Sequence, residues 1–415
     1  MSQHVDVIVL GAGAVGVSAA LHLIGRGRSV ALVDRREDVA GEASYGNAGI
    51  VQTEAVFPYT FPRKPLEIAL AALNLDPRVS IRYGALASLA PFVARYFLAG
   101  SPVARQRTAD AMRTLIAPSK AEHLALAEPA GATGLLREGG WIKVYRTPRG
   151  EAAGLRDAEE VAPYGVPFER LSRERLLELE PDVGEAAIAG VRFTDPLTTP
   201  DPQALIAAYA KLFVARCGRI LRGDARTLRD DGGSWSVTTA SGIVVARDVV
   251  IAAGAWSFDL AAGFGYRFPW GVKRGYHMHY APQPGKGLRR PVLDFEKGYL
   301  VTPMTGGLRL TTGAEFARLD DPPSSAHLDR VEPFGRQMFP LGERREPAPW
   351  LGRRPCLPDM LPIIGRAPRH KGLWFDFGHQ HLGLTIGPAS GRLLAEVMTG
   401  EAPFADPSPF AATRF

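Results

Sequence analysis

The stretch VDVIVLGAGAVG, residues 5–16, decides the fold. VDVIVL (5–10) is a short β-branched apolar run, as expected of a buried parallel strand. It ends in Gly11 and Gly13, and Gly16 completes a G-x-G-x-x-G spacing. VSAALHLIGRG then has helical spacing, and SVALVD (29–34) reads as a second buried strand closing on Asp34. Strand, Gly-rich turn, helix and parallel strand make a βαβ unit. The glycine spacing alone is weak, but in this context it is strong. Gly11 permits the tight turn, Gly13 lets the backbone approach a pyrophosphate, and Gly16 lets helix and strand pack closely. The helix N-terminus, with Ala14 and Val15, supplies free N–H groups and partial positive charge for phosphates. Asp34 is placed to accept from a ribose hydroxyl.

Outward from this unit the βα alternation stops, whereas a nicotinamide domain usually continues it. Arg35 and Arg36 suggest a 2′-phosphate, but Asp34 would repel one, and no second glycine fingerprint exists. Residues 54–165 read as a helix-rich insertion with proline breaks, and SRERLLELEP (172–181) has helical patterning. A further helix starts at Asp201 as N-cap with Pro202 in the first position. Turns at 231–233 and 241–242 mark a β-meander ending in DVVIAAG; residues 270–313 are strand-rich. The chain closes with strand, Gly-rich loop and helix, and the helix opens at Gly383 and Thr385. No internal repeat or low-complexity tract occurs.

Composition limits the alternatives. The 415 residues, 46% hydrophobic and 22% charged, describe a soluble globular protein large enough for two domains. A net charge of +6 favours an anionic cofactor, an acidic lipid surface or an acidic substrate without separating them. No basic run carries interleaved aromatics, so nucleic acid is not expected. Cys217 and Cys356 lie far apart with no C-x-x-C, which excludes a disulfide framework or thiolate zinc and suits a reducing compartment. No signal peptide precedes the first strand and no apolar run reaches bilayer length, so a cytoplasmic location is expected. His277 and His279, and His379 and His381, form two H-x-H pairs, but no Glu-x-x-His or thiolate supports them, and no metal is expected.

The fingerprint, SYGNAGIV (44–51), VVIAAGAWS (249–257) and the final GHQHLGLTIGPASG together resemble the D-amino-acid oxidase-like FAD enzymes. Within them the chain looks most like the bacterial D-amino-acid dehydrogenases. The resemblance runs from end to end, though the helical insertion matches poorly. It implies an α/β (α+β overall) fold. A Rossmann-like FAD-binding domain would span 1–53, 196–262 and 350–415. A discontinuous substrate domain, 54–195 and 263–349, would be built on a mixed or antiparallel sheet with the helical insertion. It implies non-covalent FAD held by the fingerprint residues, by Asp34 and Arg35, and by Ala225, Gly254 and Gly378. Ser44, Asn47, Ala48 and Gly49 would line the flavin, Asn47 through a polar contact. His381, Leu382, Gly383, Leu384 and Thr385 would bring a helix N-terminus to the ring's polar edge, where it stabilises negative charge. Amine-oxidising relatives with covalent flavin use a cysteine near Cys356, but its spacing from Asp359 differs.

WLGRRP (350–355) reads as a strand, so Arg354 shares a face with Trp350 and Gly352 while Arg353 points the other way with Leu351. The resemblance selects Arg354, in Gly-x-Arg-Pro, as the grip on a substrate carboxylate, through two parallel charge-assisted bonds. Arg353 is expected in a structural ion pair. Tyr276, after Arg274-Gly275 where relatives have Lys-Gly-Tyr, is expected to donate to the same carboxylate, and His381 to touch the substrate amine. The implied activity is oxidative deamination of a D-amino acid, cyclic ones such as D-proline included, by hydride transfer from Cα to the flavin. Electrons would pass to a quinone or another acceptor. A glycine-, sarcosine- or proline-type amine oxidase using oxygen, and a non-catalytic flavoprotein that binds or assembles a partner, are the competing readings. The stripe Leu86, Leu89, Phe92, Val93, Tyr96 and Phe97, with Arg82 and Arg95 nearby, is either core or a peripheral contact with the inner face of the cell membrane.

Overall fold

The computed structural model describes residues 3–415. Its opening is the predicted unit: β1 (Gln3–Leu10), α1 (Ala14–Ile24) and β2 (Val30–Asp34), the two strands parallel. Helices α2 (Pro65–Ala72), α3 (Leu86–Ala99), α4 (Pro102–Ile116) and α5 (Ser119–Ala127) follow. Pro65 and Pro102 sit in first turns, where a missing N–H costs nothing. The helix-rich reading of the insertion overlooks a strand, β3 (Trp141–Tyr145). Its five residues are aromatic or β-branched around one lysine and follow Gly139-Gly140. Next come α6 (Pro202–Ala215), β4 (Arg219–Arg222), β5 (Gly242–Ile251), β6 (Gly271–Pro282), β7 (Gly307–Thr311), β8 (Trp350–Cys356), β9 (Leu373–Phe377) and α7 (Gly383–Thr399). Asp201 caps α6 as expected, its carboxylate accepting from Ala204 N–H at 2.9 Å.

Two large sheets organise the chain. The first has eight strands with a parallel centre in the order β4-β2-β1-β5-β9. One face is covered by α1, α4, α5, α6 and α7, the other by the meander and residues around Phe258 and Tyr266. Burial on both faces explains why β1 and β2 read as unbroken apolar runs. Close approach is enforced by glycine. A Cβ at Gly16 would lie 1.8 Å from Gly11 O, and one at Gly391 of α7 would lie 2.6 Å from the backbone nitrogen of Ala19 on α1.

The second sheet has eleven strands and is mostly antiparallel. Its longest strand, β6, pairs with β7 along one edge and β8 along the other. This corrects the domain boundary expected at 350: β8 belongs to the second sheet, and the return to the first comes after it. A strand's sequence does not say which sheet it joins. The other boundary that shifts lies within 54–195, where α4 and α5 pack against α7 in the core of the first unit. Thr108, Ala109, Met112, Leu115 and Ile116 form the buried face of α4 that docks there.

The α1–α7 crossing tolerates no side chain at Gly391. Gly391→Val is expected to destabilise the fold by about 1–3 kcal/mol, read as a lowered denaturation midpoint. An unchanged midpoint would show that the two helices part at little cost.

Candidate active site

One cavity of about 2280 Å³ runs past the fingerprint turn, the 44–48 loop, the N-terminus of α7 and the β6–β8 pair. It far exceeds the roughly 300–1,000 Å³ of an ordinary small-molecule site. A large cofactor and a substrate fit in it together.

At one end stands the βαβ turn. The ladder of α1 begins with Val17 N–H donating to Gly13 C=O at 3.0 Å, so the N–H groups of Val15 and Gly16 precede it and have no helical acceptor. Ala14 N–H is capped from afar by Ser44 Oγ at 3.0 Å. A Cβ at Gly13 would meet only Ser44 Oγ, at 3.5 Å, which leaves the turn open to the cavity. Asp34 accepts from Ala12 N–H at 2.7 Å and Arg36 N–H at 2.9 Å, so it braces the turn while lining the cavity. Arg35 pairs with Glu42 at 3.0 Å and lies 4.1 Å above the Trp256 ring. Ala225 and Gly254 line the same end. These residues fit the adenosine diphosphate half of FAD.

Further in, Ser44, Asn47 and Ala48 line the wall with Gly378, His381, Leu382, Gly383 and Leu384. Gly16 packs on Gly11 as its expected packing role requires, while two expected contacts turn inward. Gly49, at φ +72°, would place a Cβ 2.2 Å from Thr199 O. Thr385 donates to Ile50 C=O at 3.3 Å and accepts from Gln52 N–H at 3.1 Å, stitching α7 to the chain beyond the loop. Asn47 Oδ1 accepts from Gly49 N–H at 2.8 Å, which leaves the side-chain nitrogen for a cofactor contact. The ladder of α7 starts with Ile386 N–H to Leu382 C=O at 2.9 Å, so the N–H groups of Gly383 and Leu384 lie free ahead of it at the cavity.

A residue absent from the sequence reading holds this loop. Arg309, on β7 and 4% exposed, donates from Nη1 to Tyr45 O at 2.8 Å and Asn47 O at 2.7 Å. Its Nε donates to His279 Nε2 at 2.9 Å, and His279 Nδ1 in turn donates to Glu346 at 2.5 Å. Burial pushes the Arg309 guanidinium down to about 10, still a cation at neutral pH. Trp350 stacks on His277 at 4.8 Å and wedges against Gly46. One H-x-H pair thus supports the loop, while His379 meets Ser390 Oγ at 3.0 Å and His381 faces the cavity.

The β6–β8 pair forms another wall of the cavity. Arg354 lies over Gly275, where a Cβ would come within 2.3 Å of Nη2. Its Nη1 donates to Gly313 O at 2.9 Å, and Nη2 reaches Thr312 O at 3.5 Å. Among the described residues no carboxylate comes within ion-pair distance of it. Burial pushes its pKa down, yet no acid neutralises it. His381 Nε2 is buried without a partner, and burial, then Arg354 and Lys273, hold the imidazole at about 3, hence neutral. Tyr59, unforeseen, stands 5.2 Å from the His381 ring; its 61% exposure is to the cavity. Desolvation there, then Glu54 and Asp157, push its hydroxyl up to about 12.

Arg353 does point the other way. The expected ion pair is not found among the described residues: Nε donates to Leu319 O at 3.0 Å and the guanidinium lies 5.7 Å from the Trp256 ring. Tyr276 needs a larger correction. Its register partner is Leu351, so it lies on the Arg353 face, away from Arg354. It is 1% exposed, and its hydroxyl donates to Glu315 at 2.7 Å and accepts from Arg274 Nη2 at 2.9 Å. That hydroxyl completes a buried ionic cluster and is not available to a substrate carboxylate.

The profile of the DAO family, described as FAD dependent oxidoreductase, matches residues 6–397. The chain is 32% identical over 429 aligned positions to a D-amino-acid oxidase of Bradyrhizobium diazoefficiens, covering 100% of each. It is 28% identical over 425 positions to a D-amino acid dehydrogenase of Rhizobium rhizogenes, covering 99% of each. Glycine oxidase from Geobacillus kaustophilus superposes with a TM-score of 0.74 at 23% identity, over 100% of this chain and 99% of that one, and shares the fold.

Arg309→Met would strip two buried carbonyls of their donor, at about 1–3 kcal/mol each. FAD retention through desalting is expected to fall at least tenfold. Unchanged FAD affinity with lowered stability would assign the clamp to folding alone.

Proposed function

The chain belongs to the DAO family of FAD-dependent oxidoreductases, and on that premise we propose that it oxidises a D-amino acid gripped by Arg354 and passes the electrons to a membrane quinone. One observation carries the reading: a half-buried guanidinium lines the cavity, and among the described residues its partners are two carbonyls. When bound, FAD supplies the acceptor for the hydride leaving Cα. The two long curated relatives, both acting on D-amino acids by name, support the choice of enantiomer.

The chain's own residues bind and orient. Arg354 gives a carboxylate two parallel charge-assisted bonds, while Gly313 and Thr312 carbonyls fix the plane of its guanidinium. Neutral His381 presents its unpartnered Nε2 to the substrate amine. Tyr59 stands against His381 and closes that side. The free N–H groups at the start of α7 stabilise negative charge at the cavity. No acid stands beside Arg354, so the amine arrives neutral from solution and the rate rises with pH.

A location at the membrane rests on a separate observation. Among the described residues, nine of the fifteen exposed large apolar side chains fall within 66–103, among them Leu66 (70%), Leu73 (64%), Leu75 (63%) and Leu98 (68%). The stripe predicted on α3 divides: Leu89, Phe92 and Tyr96 face the core, while Leu86, Phe97 and Leu98 face outward with α2. Residues 59–107 hold seven Lys and Arg against two acids. A basic apolar surface suits an anionic bilayer, and the cavity reaches beneath α2 and α3.

Two measurements follow. Anaerobic D-amino acids, offered singly with an artificial acceptor as check, are expected to bleach the flavin, with L-enantiomers inert. Arg354→Met should lose at least about a hundredfold in kcat/KM, from two charge-assisted bonds of roughly 1.5–3 kcal/mol each, and Arg353→Met only a few-fold. Equal small effects would sink the carboxylate assignment, and oxygen uptake with sarcosine or glycine would favour the amine-oxidase reading. Anionic vesicles should co-sediment the protein, zwitterionic ones should not, and Leu73→Asp with Leu98→Asp should abolish it. Equal pelleting with neither lipid removes the membrane from the account.

A further inference from the structure

Arg354 is not the only cation on the substrate wall. Lys273 is its direct partner across the β6–β8 ladder, on the same face, and lines the same cavity. It is 7% exposed. Its Nζ lies 3.7 Å from the centre of the Tyr96 ring and 3.8 Å from Met360 Sδ. Among the described residues no carboxylate pairs with it. The groups around it are Arg354, Cys356, Tyr96 and His381, none of which carries a negative charge at neutral pH. Burial, and then Arg354, push the lysine amine down to about 8.

Like charges directly opposite on a sheet destabilise it, and desolvation raises the cost. The aromatic face of Tyr96 offsets part of this for Lys273. That ring is fixed, because the Tyr96 hydroxyl donates to Tyr59 C=O and the ring stacks on Phe92. A monocarboxylate would neutralise Arg354 and leave Lys273 alone. A ligand with two negative groups neutralises both. Cross-strand side chains stand about 4.5–5.5 Å apart at Cβ, a separation that a short dicarboxylate bridges. The order along β6 also fits. His277 touches the cofactor loop side, Gly275 lies under the Arg354 guanidinium, and Lys273 is the next residue of that face beyond it. A second anion there is bound away from the 44–48 loop, on the side-chain side of the substrate.

We propose that Lys273 and Arg354 form a two-cation site for a dicarboxylic amino acid, with the α-carboxylate on Arg354 and the side-chain carboxylate on Lys273. This rests on the amino-acid reading above and names its substrate class. It makes Lys273 a specificity residue.

The experiment uses the FAD-loaded protein and Lys273→Met, which keeps length and loses charge. D-aspartate and D-glutamate are compared with D-asparagine and D-glutamine as near-isosteric neutral controls. In the wild type each acid is expected to exceed its amide at least tenfold in kcat/KM. Lys273→Met should cut the acids about a hundredfold and the amides less than threefold, with Lys273→Arg restoring the preference. Binding is read independently, from the change in flavin absorbance on titration with succinate or butyrate. Succinate should bind the wild type at least tenfold tighter, and the difference should vanish in Lys273→Met. Amides preferred over acids, or an equal loss for both in the variant, overturns the proposal while leaving D-amino-acid oxidation intact. If no D-amino acid reduces the flavin, the oxidation reading fails, and the succinate arm still decides the two-cation site: equal binding of succinate and butyrate overturns it.

Discussion

A half-buried guanidinium with no carboxylate beside it among the described residues is the constraint on which the site depends. An unpaired ion in a protein interior costs several kcal/mol even after relaxation. At Arg354 the surroundings supply two carbonyls and an absent side chain, Gly275, rather than a counter-ion. The carbonyls hold the orientation and offset part of the desolvation. They do not neutralise the charge; on the proposed reading a substrate carboxylate does, which concentrates binding energy at the point that orients the reacting carbon, where positioning contributes most to rate.

The strands that carry this cation also carry the supports of the cofactor loop. Trp350 and Arg354 lie on one face of β8, and His277, Gly275 and Lys273 on the matching face of β6. Arg309, on the other neighbour of β6, clamps the carbonyls of Tyr45 and Asn47. A shift of one residue in either ladder would send every one of these side chains to the opposite face. Register thus sets substrate wall and cofactor loop against each other in a single step, although they come from different parts of the chain.

This division explains what could be read from sequence. The βαβ turn, the Asp201 cap, the α7 helix start and the divergence of Arg353 from Arg354 are local consequences of spacing, and the structure has them all. The parts that failed are non-local. Which sheet β8 joins, where α4 and α5 dock, and whether Thr385 faces cavity or core depend on partners far away in the chain. Arg309 carried no signal of its own, because a lone arginine in a strand is indistinguishable from a surface cation until its two carbonyl partners are known. β3 did carry one, in WIKVY after a glycine pair, which helical expectation for the whole insertion obscured.

Tyr276 and Lys273 show how far one periodicity reaches. Motif comparison pointed to Tyr276, but alternation along β6, applied together with the face already assigned to Arg354 on β8, rules it out. In an antiparallel pair, residues directly opposite share a face, and Arg354 is opposite Lys273. The residue three positions on, Tyr276, must then point to the other side. The phenol joins Glu315, Arg274 and Arg82 in a closed ionic cluster behind the wall, where its hydroxyl is saturated. The lysine faces the cavity with an aromatic ring and a thioether for company. Glu315 stays on the far side of the sheet, and among the described residues no carboxylate pairs with the lysine, a charge arrangement that an anionic ligand balances.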